Sequence, residues 1–142
     1  MTATQLSVFI ENRQGRLGEV LRVLKTNGVN ILSMSLADTT EYGLLRLIVN
    51  NPEAGKVALT NEGFSSMTTE VMIIKIPHKA GALQEILEVV SSKNINVEYM
   101  YGLSIDGEEA YVVLKSSNVE KTGEVLEVRG VKTLLPEDVV NL

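Results

Sequence analysis

The sequence predicts an α+β fold built from two like units, each an antiparallel four-stranded sheet with two helices on one face. Three observations predict it. The stretch ENRQGRLGEVLRVLKTNGVN, Glu11 to Asn30, returns 66 residues later as PHKAGALQEILEVVSSKNIN, Pro77 to Asn96, so that Gly15 falls on Gly81, Leu17 on Leu83, Glu19 on Glu85 and Asn30 on Asn96. Both copies carry apolar residues at helical spacing between runs of strand composition. A chain of 142 residues accommodates two such units of about 70 residues, each small enough to be marginal alone, so the halves are expected to pack on each other or on another chain.

In the first half, Gln5 to Ile10 reads as a strand from its Val, Phe and Ile content. Leu17, Val20, Leu21 and Leu24 recur at i, i+3, i+4 and i+7 and make one apolar stripe on a helix, which Asn27-Gly28 ends. Ile31 to Leu36 alternates, with Leu32, Met34 and Leu36 on one face and Ser33 and Ser35 on the other, the pattern of a half-buried strand. Thr39 to Gly43 supplies a turn and Leu44 to Val49 a third strand. Pro52 fits the first turn of a second helix running to about Asn61 and closed by Gly63, and a last short strand starts at Phe64.

The second half repeats the order. Val71 to Ile76 is a strand; Leu83, Ile86, Leu87 and Val90 form the stripe of a helix ended by Asn94; Ile95 to Tyr101 is the next strand. Asp106-Gly107 makes a hairpin turn, followed by a strand at Ala110 to Lys115, a helix at Val119 to Val128 and a strand at Val131 to Leu135. Gly63 and Gly130 correspond at an offset of 67, which places a one-residue insertion between the third strand and the second helix. Each half is thus βαββαβ, the ferredoxin-like arrangement. The expected units are residues 1–69 and 70–142, joined without a flexible linker, their sheets side by side as one eight-stranded sheet.

Apolar residues make up 44% and charged residues 22%, the balance of a globular protein. The net charge of −5, from 13 basic and 18 acidic residues without a basic stripe, argues against a nucleic-acid partner. The absence of cysteine excludes disulfides and thiolate metal sites. The apolar runs at Leu44 to Val49 and Val71 to Ile76 are far short of the about 20 residues a spanning helix needs, and MTATQLSVFIENR lacks the features of a secretory signal, so no membrane association and a cytoplasmic location are expected. His78, the one histidine, has no companion ligands nearby, and neither a metal nor a cofactor is expected.

The loop Asn12-Arg13-Gln14-Gly15 leads into a helix whose first amides lack partners in the helix and carry partial positive charge, an arrangement that receives a carboxylate. Gly15 permits close approach to the backbone, and the Asn12 amide offers both a donor and an acceptor. Asn30 stands at the opposite end of that helix, so a pocket using both asparagines needs a second unit and belongs at an interface. In the βαββαβ order, in Asn-Arg-x-Gly-x-Leu and in the Gly-Val-Asn-Ile turn, the chain resembles the ACT domain, a ligand-binding regulatory module of amino-acid metabolism, most nearly the kind attached to phosphoglycerate dehydrogenase. The resemblance covers both halves and implies a stand-alone tandem ACT protein, without catalytic residues, that binds a free L-amino acid between units and assembles as a homodimer or with another protein. It implies ligand contact by Asn12, Gln14, Gly15, Arg16, Leu17 and Asn30, and by His78, Ala80, Gly81, Ala82, Leu83 and Asn96 in the second copy. Gln14 and Ala80 stand where such loops usually carry Pro, and the second copy has His78, Lys79 and Ala82 for Asn12, Arg13 and Arg16, so the two pockets differ chemically.

Plainer readings compete. Asn12 and Asn30 also suit turns and helix caps, Tyr99 and Tyr101 suit sheet-face packing, and Met34 and Met100 suit core filling. An acylphosphatase-like enzyme shares the element order and would use Arg13 or Arg16 for phosphate, but no nucleophile and base accompany them. An assembly module that docks on a protein and takes no small ligand is the main alternative.

Overall fold

A computed structural model describes residues 2–38 and 41–140. Two compact units divide the chain: Thr4–Thr69, and Glu70–Leu142 together with Met1–Ala3. The N-terminal unit contains β1 (Ala3–Glu11), α1 (Arg16–Thr26), β2 (Ile31–Asp38), β3 (Tyr42–Val49) and α2 (Pro52–Asn61). Next comes β4 (Ser65–Pro77), followed in the C-terminal unit by α3 (Ala82–Ser92), β5 (Val97–Asp106), β6 (Glu109–Ser116), α4 (Val119–Val128), β7 (Lys132–Leu134) and α5 (Pro136–Val140). The short strand expected from Phe64 and the strand expected at Val71 to Ile76 are one continuous strand, so the described residues hold seven strands and not eight. No Pro or Gly interrupts residues 65–76, and nothing there forces the backbone out of extended conformation.

In the N-terminal unit β3 lies antiparallel between β1 and β2, with Leu6 opposite Leu47 and Met34 also opposite Leu47. Leu6, Val8 and Ile10 alternate along β1 and meet Val20 and Leu24 of α1, Leu45 and Leu47 of β3, Leu59 of α2 and Phe64 in one core. Burying such a side chain contributes about 1.5–3 kcal/mol. The C-terminal unit has the strand order β5-β6-β4-β7, all antiparallel, and its core joins Met72, Ile74 and Ile76 to Ile86, Val90, Val112 and Leu126. Both second helices begin at an asparagine cap: the Asn51 Oδ1 accepts from the Ala54 N–H at 3.1 Å and the Asn118 Oδ1 from the Lys121 N–H at 3.0 Å.

Five details differ from expectation. The extra residue of the second half lies within β5, where the register shifts between Gly102 and Ser104, a bulge that β2 lacks, and not between the third strand and the second helix. Leu36 shares a face with Ile10, since a Cβ added at Gly43 would meet both at 3.2 Å, yet Met34 and Leu36 are exposed on β2, an outer strand paired only with β3. Met34 is therefore not core filler, whereas Met100 does pack against the second core. Leu21 and Leu87 are half-buried and stand outside the core clusters. The short α5 was not expected; its start is tied by the Leu135 N–H donating to the Asp138 carboxylate at 2.9 Å. Of the turn expected at Thr39 to Gly43, Thr39 and Thr40 lie outside the described residues, while Tyr42 and Gly43 already belong to β3.

Candidate functional site

The first glycine loop is shaped by its backbone. After β1 the Asn12 N–H donates to the Glu41 carbonyl at 2.9 Å, tying the loop to the start of β3, and the Arg13 N–H folds back onto the Glu11 carbonyl at 2.9 Å. Gly15 then takes a φ of 89°, the left-handed region that a side chain disfavours, and caps α1. The Arg16 N–H bonds the Arg13 carbonyl at 3.3 Å and the Glu19 N–H bonds the Gly15 carbonyl at 3.0 Å. Between them the amides of Leu17 and Gly18 have no acceptor within the helix and stand at its positive end.

The second loop repeats this bond for bond. The His78 N–H donates to Glu108 O at 2.6 Å, the Lys79 N–H to Pro77 O at 3.0 Å, the Ala82 N–H to Lys79 O at 3.3 Å and the Glu85 N–H to Gly81 O at 3.0 Å, around Gly81 at φ 86°. Glu41 and Glu108, the carbonyl anchors, were not anticipated. A backbone acceptor has no residue-type signature, although their own correspondence at an offset of 67 was visible.

The side chains around the two loops differ. Arg13 Nε lies 2.8 Å from the Glu11 carboxylate on the surface, and this hydrogen bond, with the guanidinium charge, holds the Glu11 carboxyl below its ordinary range. Arg16 is turned inward: its side chain is 17% exposed, Nη1 lies 2.6 Å from the Glu19 carboxylate, and the guanidinium sits 4.2 Å above the Phe64 ring. Both arginines that an acylphosphatase-like enzyme would use for phosphate are thus engaged by carboxylates. Asn12, Gln14 and Gly15 are exposed, as are His78, Ala80 and Gly81; Leu17 and Leu83 are half-buried against the cores, and Ala82 is buried.

Asn30 and Asn96 are clamped at the other ends of their helices. The Asn30 N–H donates to Asn50 Oδ1 at 2.8 Å while Asn50 returns its own N–H to the Asn30 carbonyl at 3.1 Å; Asn96 and Ser117 do the same at 3.0 and 2.8 Å. The eleven residues of α1, about 16.5 Å long at 1.5 Å per residue, lie between Asn12 and Asn30. Neither unit brings its own pair of site residues together. Asn30 lines a shallow hollow of about 340 Å³ with Leu21, Lys25 and Gly28, and Ala82 lines a cavity of about 350 Å³ in the C-terminal unit. Among the described residues no three His, Cys, Asp or Glu are grouped to hold a metal ion. No helix among them is long and apolar enough to cross a membrane.

Residues 1–142 match the family described as the ACT domain pair. A comparison with curated proteins gave no match. Among solved structures, protein BT0572 from Bacteroides thetaiotaomicron is 37% identical, with a TM-score of 0.89, over 94% of this chain and 92% of that one. The ligand-free regulatory subunit of aspartate kinase from Thermus thermophilus is 12% identical with a TM-score of 0.65, over 87% of this chain and 89% of that one, a likeness of fold.

Proposed function

We propose, on the premise that this chain belongs to the family of paired ACT domains and is a regulatory module, that it binds a free L-amino acid at its glycine loops and carries no catalytic activity of its own. In this reading residues 1–69 and 70–142 are the two ACT units. The open amides of Leu17 and Gly18, with the backbone of Gln14, Gly15 and Arg16, receive the carboxylate, and Asn12 accepts from the ammonium. Asn30 closes the pocket from a neighbouring ACT unit. In the second copy His78, Ala80, Gly81, Ala82, Leu83 and Asn96 take the corresponding places. The observation that carries the reading is the loop built twice with the same four backbone hydrogen bonds and a left-handed glycine at the positive end of a helix. Occupancy would favour one arrangement of the units over another and pass the signal to a protein partner in the cytoplasm or to a second copy of the chain.

A thermal-shift screen against the twenty L-amino acids tests this. A ligand at 100 times its Kd stabilises the native state by about 2.7 kcal/mol, and the response should vanish in Asn12→Ala and Gly15→Val if the first loop is the site, or in His78→Ala and Gly81→Val if the second is. Responses unchanged in all four variants would overturn the assignment. The exposed apolar face of β2, with Met34 and Leu36 open, favours a second reading, a docking module without a small ligand; silence across the whole panel would leave that one standing.

A further inference from the structure

The two units differ in chemistry at a place where their backbones agree. In the N-terminal unit Arg16 lies over Phe64 and is held by Glu19, and the hollow beside them measures about 270 Å³. The corresponding residues in the C-terminal unit, 66 or 67 positions later, are Ala82, Val131 and Glu85. Two large side chains have been shortened together, and a cavity of about 350 Å³ lies there. That volume is within the about 300–1,000 Å³ usual for small-molecule sites.

Its lining has two kinds of surface. Ile76, Ile86 and Leu126, all buried, supply apolar walls. Lys75, Lys79, Glu85 and Arg129 supply charge, and none of these four side chains makes a hydrogen bond or ion pair among the described residues. In the N-terminal unit the matching set is Arg13 and Arg16 with Glu11, Glu19 and Glu62, two cations with three anions. In the C-terminal unit it is Lys75, Lys79 and Arg129 with Glu85, a surplus of two positive charges.

We propose that this cavity is a second binding site, beside the proposed amino-acid site of the second glycine loop and sharing Ala82 with it, and that it takes a small aliphatic monocarboxylate. The hydrocarbon body lies against Ile76, Ile86 and Leu126, and the carboxylate faces Lys79 and Arg129. In the N-terminal unit Arg16 and Phe64 stand where the cavity has Ala82 and Val131, and the hollow of about 270 Å³ left beside them carries Glu62 in the place of Arg129, so it presents an anion where the carboxylate would lie.

Titration of the ¹⁵N-labelled full chain with hexanoate, and separately with n-hexylamine, tests the proposal. Hexanoate should shift the amides of Ile76, Ile86 and Leu126 and leave their counterparts Ile10, Val20 and Leu59 in place, and n-hexylamine should shift neither set. Val131→Phe, which restores the aromatic ring found in the other unit, and Arg129→Gln should each weaken hexanoate binding by about tenfold or more; Arg129→Gln keeps the test open if Val131→Phe does not fold. Hexanoate without effect on the first set, equal binding of the amine, or an unchanged Kd in the folded variants would overturn it. The glycine-loop reading is judged apart, from amino-acid shifts at Asn12 and His78.

Discussion

Two glycines in the second helices of the two units should respond to the same substitution with opposite sign. Replacing an interior helical glycine by alanine gains about 1 kcal/mol from backbone entropy. At Gly123 in α4 a new Cβ would meet only the Met72 terminal methyl at 3.6 Å, an ordinary contact, so the gain survives. At Gly55 in α2 it would come within 2.9 Å of Leu6 Cδ2 and 3.4 Å of Leu24 Cδ2. Both leucines are fully buried in the first core, so neither can withdraw into solvent. Overpacking of this kind costs about 1–3 kcal/mol, which outweighs the entropic gain and leaves a net loss of about 1 kcal/mol. Gly123→Ala should therefore stabilise its unit and Gly55→Ala destabilise its own, a separation of about 2 kcal/mol, or roughly 8–16 °C in Tm for units of this size. Thermal and urea unfolding followed by circular dichroism reads the difference. Leu6→Val, which trims the obstructing methyl, should cost less in the Gly55→Ala background than alone, because the two positions share one space. A Gly55→Ala protein as stable as Gly123→Ala would refute the packing account.

Three further outcomes are expected. Asn118→Ala removes the oxygen that accepts from the Lys121 N–H and should cost about 1 kcal/mol in urea unfolding, with Asn118→Asp losing much less. Thr122→Val should cost about 1–3 kcal/mol, because it leaves the buried Ser116 hydroxyl, 2.7 Å from Thr122 Oγ1, without that partner; a Ser116→Ala, Thr122→Val double variant should lose less than the sum of the single changes. Glu11 should titrate below an ordinary glutamate, its hydrogen bond from Arg13 being the main cause. Because its folded pKa is depressed, whatever stability it contributes is present above the unfolded value of about 4.3 and is lost as pH falls through the folded one. Carbon-detected NMR titration of the Glu11 carboxylate checks this, and Arg13→Ala should return it toward the ordinary range.

Those features of the fold that depend on residue type were legible in the sequence. Pro52 marked the start of α2, the readings to Asn61 and from Val119 to Val128 matched both second helices to their ends, and the paired glycines marked both loops. What was missed depends on geometry. Alternation in Ile31 to Leu36 identified a strand but could not tell that its outer position leaves Met34 and Leu36 uncovered. A bulge leaves little trace beyond Gly102, so the extra residue was assigned to the wrong connection. At the site, the turn and the free amides followed from Gly15 and the helix after it, whereas the carbonyl anchors at Glu41 and Glu108 and the stacking of Arg16 on Phe64 join residues far apart along the chain. The cavity by Ala82 and Val131 was hidden for the same reason, since either change alone reads as an ordinary surface or core substitution.

The extra residue in β5 bears on how two similar halves avoid folding into one another. Tandem repeats run the risk that a strand of one copy takes its counterpart's place in the other. Here β2 and β5 each pair with the strand after them, but only β5 steps across Gly102 to Ser104. Were β2 to dock on β6 in place of β5, Leu36, Ala37 and Asp38 would face Val112, Tyr111 and Ala110 in an unbroken ladder, and nothing in β2 would supply the residue that β5 sets between Gly102 and Ser104. The bulge gives each hairpin its own key.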